Sequence, residues 1–356
     1  MMKSVAAALL LASIALSRAE AAMTPEEVGM YTGADRAKLL LDNAHKEGEL
    51  SWYTVLIVDQ AARPMAEEFQ KRYPGIKVNF TRADGAQLLQ RVMAENRAGA
   101  VRGDVVVTGE GEAYKRSGFA LPFVSPMQAS YPADYIEKGR LWSAYAVSWQ
   151  GIAWNTNLVK DAEAPKSFED LLDPKWKGKM AWSNGVSTGA PGMITYLRMN
   201  WGEERTVAYL EKLKEQGIRT LPGSIRTVMD QVIAGEAAIG VAMAMHHAAI
   251  SKAAAAPINA NSPAPVWTRI GTVHLLKGAP HPNAAMLFID YVLDAKGGQE
   301  ILNKALYGPA HPDVVQPEHM QWIQPSKLGK KEFVMDLVEE DDMRPASMDL
   351  YQKYFR

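Results

Sequence analysis

Polar and apolar positions alternate over Glu49–Val55, a segment rich in aromatic and β-branched residues, and predict a strand. From Gln60 to Arg72 the apolar residues Ala62, Met65, Ala66 and Phe69 fall at helical spacing, and Tyr73-Pro74-Gly75 stops the run. Ile76–Thr81 then predicts a second strand, Gly85–Ala98 a second helix, and Asp104–Thr108 a short apolar third strand. A helix over Arg36–Lys46, closed by Gly48, precedes them. Strand and helix in strict alternation predict an α/β unit on a parallel sheet.

A Pro- and Tyr-rich loop region over Leu121–Arg140 leads into two predicted strands, Leu141–Val147 and Gly151–Asn155. A short helix over Ser167–Leu172 and a strand over Gly178–Ser183 follow. Helices are predicted over Pro191–Trp201, Glu203–Gln216 and Ile225–Ala234, then a buried strand of small residues over Ala238–Ala244. Ile270–Leu276 alternates again, and Pro282–Leu293 and Gly298–Leu306 read as helices before a mixed tail expected to pack on the first half. The two α/β halves interrupt one another, the strand near 145–155 leading out of the first and that near 266–276 leading back. This predicts two Rossmann-like lobes joined by a two-strand hinge: residues 22–148 with 268–356 as the first lobe, 149–267 as the second. Loops at the C-terminal ends of such strands converge on a cleft between lobes.

The remaining features set compartment and class. Met-Met-Lys, an apolar run over Val5–Leu16 and Ala19-Glu20-Ala21-Ala22 describe a secretory signal peptide over residues 1–21. The run is too short for a bilayer of ~30 Å, which takes about 20 apolar residues. Without Lys3, Arg18 and Glu20 the chain keeps 37 basic and 39 acidic residues, a net of −2. That balance disfavours nucleic acid as a partner. The chain has no cysteine, which excludes disulfides, thiol nucleophiles, Cys-ligated metals and a lipid anchor at the cleavage site. An exported, unanchored monomer in a bacterial periplasm is expected. There is no Gly-x-x-x-x-Gly-Lys loop or His-x-x-x-His spacing, so enzyme assignments lack support and no cofactor is expected.

Six segments, in order, resemble the bacterial extracellular solute-binding proteins: Trp52-Tyr53-Thr54 with Phe69–Val78, Asp104-Val105-Val106, Ile152–Val159, Asp170–Lys179, Gly278–Ile289, and Gly297-Gly298-Gln299. The branch they resemble binds iron(III), organophosphates or phosphonates. The resemblance implies a class II periplasmic binding protein fold, capture of a small solute between the lobes, and delivery to an inner-membrane ABC permease. An exported transferase or lyase on the same scaffold, marked by turnover, and a sensor for a membrane receptor are the rival readings.

The richest local signal is Ser183-Asn184-Gly185-Val186-Ser187-Thr188-Gly189, between a strand and a helix. Free N–H groups at a helix start favour an anion, Ser187 and Thr188 add donors, and Gly189 permits close approach; alternatively a hydroxyl simply caps the helix. Thr54 and Arg82 end the first two strands, and Gly109 with Glu110 ends the third; Trp149 lies at a crossover, and Ser224 precedes a helix. Arg82 can grip a carboxylate or phosphate with two hydrogen bonds, and Trp149 either stacks on solute or joins the core. Where ferric-binding relatives place two adjacent tyrosines after a Gly-Glu-x-x-x-Gly segment, here Gly235–Gly240, this chain has His246 and His247. Imidazole suits softer metals than iron(III), so the preferred solute is an organic anion. The alternative is a metal ion on His246, His247 and Glu110.

Overall fold

The computed structural model describes residues 23–185 and 188–356. The signal-peptide assignment and Ser187 lie outside the described residues.

Helices α1 (Pro25–Met30) and α2 (Arg36–Glu47) lead into β1 (Glu49–Thr54). Gly48 ends α2 in the left-handed region, at φ 75°, a conformation that favours glycine. Next come α3 (Arg63–Arg72), β2 (Lys77–Arg82), α4 (Gly85–Arg97) and β3 (Val105–Thr108), with the strands parallel in the order β2-β1-β3. Short elements α5 (Gly111–Arg116) and β4 (Ala120–Leu121) close this unit.

The two strands expected between 141 and 155 are one, β5 (Ser143–Asn155). Pairing is unbroken along it, with the strand Val266–Leu276 as far as Trp149 and with the strand Ile239–Ala244 from Gln150 onward. A Cβ on Gly151 would stand 2.3 Å from the Asn261 carbonyl oxygen, so the glycine is a point of close backbone packing within the strand rather than its start.

The second unit contains β6 (Met180–Ser183), α6 (Ala190–Trp201), α7 (Glu203–Lys214), β7 (Arg219–Leu221), α8 (Ile225–Ile233), β8 (Ile239–Ala244), α9 (Met245–Ala253) and β9 (Ile258–Asn261). The chain returns through β10 (Val266–Leu276), then α10 (Pro282–Leu293), α11 (Gly298–Lys304), β11 (Gly308–Pro309), β12 (Glu332–Val334) and α12 (Leu337–Phe355). The main path of the sheet is β2-β1-β3-β10-β5-β8-β6-β7.

Two strands pass from one core to the other. In β5, Ala144–Val147 belong to the first core and Ile152 and Trp154 to the second. In β10, Trp267 belongs to the second core while Ile270, Val273 and Leu275 belong to the first. The result is two α/β lobes on a two-strand hinge.

The tail departs from expectation. Met335, Tyr351 and Tyr354 pack in the second core, and Phe355 meets Trp182 edge-on at 4.6 Å. Its aromatic residues find their apolar partner on the side of α6, not on the first lobe. At its other end α12 reaches the first unit, where Asp342 pairs with Arg116 at 2.7 Å. The tail therefore straps both lobes.

Candidate functional site

A cavity of about 370 Å³ opens between the lobes, within the usual range for a small-molecule site. Its first-lobe wall carries Arg82 at the end of β2, the first residues of α4, and Gly109 with Glu110 after β3. Its second-lobe wall carries Asn184, Gly185 and Thr188 before α6, Gly223 to Arg226 at the start of α8, and His246 with His247 in the first turn of α9. Several helix N-termini thus face one space, and their unpaired N–H groups favour negative charge.

Three arginines line the cavity. Arg82 Nη2 lies 3.7 Å from Asp84 Oδ1. Arg226 donates to Ser251 Oγ at 3.0 Å and to Asp230 Oδ1 at 2.6 Å. Arg269 on β10 donates to Glu340 at 2.8 Å and to the Gly109 carbonyl at 3.2 Å.

Both histidines are held neutral. Burial, reinforced by Arg226, pushes His246 down to about 3. Burial likewise holds His247 well below its ordinary value, with His246, Arg226 and Arg82 acting in the same direction. Tyr307 is pushed up to about 12 by burial, although Arg82 and Arg226 pull the other way. Arginines from opposite lobes therefore act on the same buried groups. The His246 ring lies 4.3 Å from His247 and 4.6 Å from Tyr307.

Of the sequence-predicted residues, Arg82, Gly109, Thr188, Ser224, His246, His247 and Glu110 line the cavity. Four others stand behind its wall. Thr54 is fully buried, and its hydroxyl accepts from the Leu56 N–H at 3.1 Å, a turn-forming role. Trp149 donates its indole N–H to Glu332 at 3.0 Å. Ser183 donates to the Gly223 carbonyl and accepts from the Gly185 N–H, tying two cavity loops together. Gly189 begins α6 so close to the loop that a Cβ would stand 2.3 Å from the Ser183 carbonyl oxygen.

Arg226, Arg269, Gln150, Ser148 and Tyr307 also line the cavity. Arg226 had a legible signal, a cation just inside a helix start after Gly223-Ser224. Arg269 and Tyr307 had none, since pairing of β10 and the turn after α11 bring them in from distant sequence. Glu110 Oε2 is 3.2 Å from Arg344 Nη1. Among the described residues no three His, Asp or Glu side chains gather as a metal site.

The family described as bacterial extracellular solute-binding protein matches residues 64–327. The chain belongs to this family. This solute-binding protein is 25% identical over 276 residues to an uncharacterized protein of Haemophilus influenzae, covering 73% of this chain and 76% of that one. It is 27% identical to the Fe(3+)-binding periplasmic protein of Serratia marcescens, covering 64% of this chain and 69% of the relative. Among solved structures, AfuA of Actinobacillus pleuropneumoniae with fructose-6-phosphate bound aligns with TM-score 0.71 and 22% identity, covering 86% of this chain and 98% of that one. Iron-bound HitA from Pseudomonas aeruginosa aligns at 0.73 and 18%, covering 86% and 99%. The shared fold is that of periplasmic binding proteins. The solute-binding protein belongs to a family of carriers, not of enzymes.

Proposed function

We propose that this solute-binding protein captures a small organic anion (a phosphate ester, phosphonate or carboxylate) between its lobes and delivers it to an inner-membrane ABC permease. Residues 1–21 direct export to the periplasm and are removed, and the mature protein acts as a monomer. The lobes comprise residues 22–148 with 268–356 and residues 149–267, with α12 strapped across both. The observation that carries this reading is the placing of Arg82 and Arg226 on opposite walls of one cavity, ringed by helix N-termini. An anion held by both arginines bridges the lobes and shifts the population toward the closed form. Thr188, Ser224 and, outside the described residues, Ser187 add hydroxyl donors; Gly109 offers its backbone.

The names of similar proteins fit this range of chemistry: one is called a 2-aminoethylphosphonate-binding periplasmic protein, and AfuA holds fructose-6-phosphate. Calorimetry with inorganic phosphate, sugar phosphates, phosphonates and carboxylates tests the reading on wild-type protein and on Arg82→Ala and Arg226→Ala. Hydrogen bonds to charged groups contribute about 1.5–3 kcal/mol, so each substitution should weaken binding roughly 10- to 100-fold. Unchanged affinity in both variants contradicts it.

The second reading is a metal ion on His246, His247 and Glu110, favoured by the 4.3 Å contact of two neutral imidazoles in the cavity wall. Against it, Glu110 is already engaged by Arg344. Binding abolished by a chelator and independent of both arginines would favour the metal.

A further inference from the structure

Resting on the anion reading, we propose that Gln150 and His247, which line the same cavity, are its specificity-determining pair and select anions whose organic body carries a hydroxyl group. Gln150 lies in β5 where that strand leaves the first sheet for the second, paired with Ala244 two residues before His246. Its side chain is 1% exposed and lines the cavity. The amide nitrogen donates to Ser148 Oγ at 2.8 Å, while Oε1 is buried with no hydrogen-bond partner. His247 Nδ1 is likewise buried and unpartnered, and His247 lines the same cavity.

Leaving such a group unsatisfied costs about 1–3 kcal/mol, so a partner supplied by the solute is favoured by that amount. The charged end of an anion cannot be that partner, because an amide oxygen repels it. The part of the solute that reaches Gln150 is therefore a hydrogen-bond donor. An ammonium group is disfavoured there, because three arginines, Arg82, Arg226 and Arg269, line the cavity against two acids, Asp84 and Glu110. Among the acids, Asp84 and Glu110 line the cavity and face Arg82 at 3.7 Å and Arg344 at 3.2 Å, while Asp230 and Glu340, outside the lining, pair with Arg226 at 2.6 Å and Arg269 at 2.8 Å. A hydroxyl is neutral and donates to the open Gln150 Oε1, and being donor and acceptor at once it can also meet His247 Nδ1. A cavity of about 370 Å³ leaves room for an organic body beyond the anionic group.

The test is calorimetry with two matched pairs, glycerol 3-phosphate against propyl phosphate and gluconate against hexanoate, together with 2-aminoethylphosphonate. Wild-type protein should bind the hydroxylated member of at least one pair tenfold or more tighter, because a site built to bond a hydroxyl rejects the analogue lacking it. In Gln150→Leu the preference should fall below threefold while the alkyl partner's affinity holds. The melting temperature of Gln150→Leu should match or exceed wild type, since an unpartnered amide is removed; Gln150→Met serves as the second variant if it does not. No hydroxyl preference, a preference that survives both variants, or tighter binding of 2-aminoethylphosphonate than of glycerol 3-phosphate overturns the inference alone. Failure of every probe to bind, or binding that survives Arg82→Ala with Arg226→Ala, removes the anion reading itself and this inference with it.

Discussion

Arg269 on β10 donates to Glu340 on α12 at 2.8 Å, and the two side chains are only 5% and 2% exposed. Arg344, one turn along α12, lies 3.7 Å from Glu340 and 3.2 Å from Glu110. The tail is thus wired by charge to two residues of the cavity wall. Through Tyr351 and Tyr354 the same helix is packed into the core of the second lobe. One helix therefore reports on both lobes.

Removing one partner of a buried pair strands the other. Glu340→Ala should destabilise the protein by about 3–5 kcal/mol in urea unfolding, whereas Arg269→Met with Glu340→Leu should recover most of that loss. Equal loss in the single and double variants would show that the pair itself, not the stranded charge, carries the stability.

Acid should unfold the protein through its buried histidines. Burial holds His274 at about 3, although the Leu141 carbonyl bonded to its ring works the other way; His246 is also at about 3. The unfolded chain binds protons near pH 6.5, the folded one does not, so this stability is complete above pH 6.5 and is lost as pH falls toward 3. Each such group costs about 1.4 kcal/mol per pH unit in that window. His281 works in the opposite sense: its bond to Asp104 raises its value, so its contribution is present below pH 6.5 and lost as pH rises through the raised value. Denaturant melts at pH 7.5 and 5 should show a net loss of stability at pH 5, reduced by about 2 kcal/mol in His274→Asn. Equal pH dependence in wild type and His274→Asn would refute the assignment.

The first βαβαβ unit was legible because its signals are local: alternation in β1, helical spacing in α3, and the stop at Tyr73-Pro74-Gly75. Arg82 was legible because it lies at the end of a strand whose loops had to converge, and the His246-His247 position because it stands where ferric-binding relatives place two tyrosines. Other parts depended on distant packing. That β5 is one strand depends on its pairing with β10, β8 and β9, which come from distant sequence. Thr54 and Ser183 have the right chemistry at the right strand ends, yet each hydroxyl is consumed by a neighbouring loop backbone. Nothing local in 330–356 reveals that its aromatics belong beside Trp182.

Gly189 sits where a methyl group has no space, 2.3 Å from the Ser183 carbonyl oxygen and 2.8 Å from the Gly185 backbone. Gly189→Ala must push the cavity loop outward, and overpacking of this kind costs roughly 1–3 kcal/mol. Thermal melting should register that loss, and anion affinity should fall along with it because Thr188 moves with the loop. Full affinity in Gly189→Ala would show that the loop does not hold the solute.

The C-terminal strap makes its own prediction. Tyr351 is fully buried beside Trp182, at 6.4 Å between rings. Tyr351→Ala should destabilise the fold by about 3–5 kcal/mol, as other large-to-small aromatic core changes do. An effect below 1 kcal/mol would mean that α12 is only loosely attached to the second lobe.

The most direct test of the account is native mass spectrometry of the mature protein as purified, before and after mild acid release and with or without chelator. The account predicts a small organic anion, released intact, with a mass unaffected by chelator. A bound metal ion, lost to chelator and unaccompanied by an organic mass, would contradict it and move His246, His247 and Glu110 to the centre of the site.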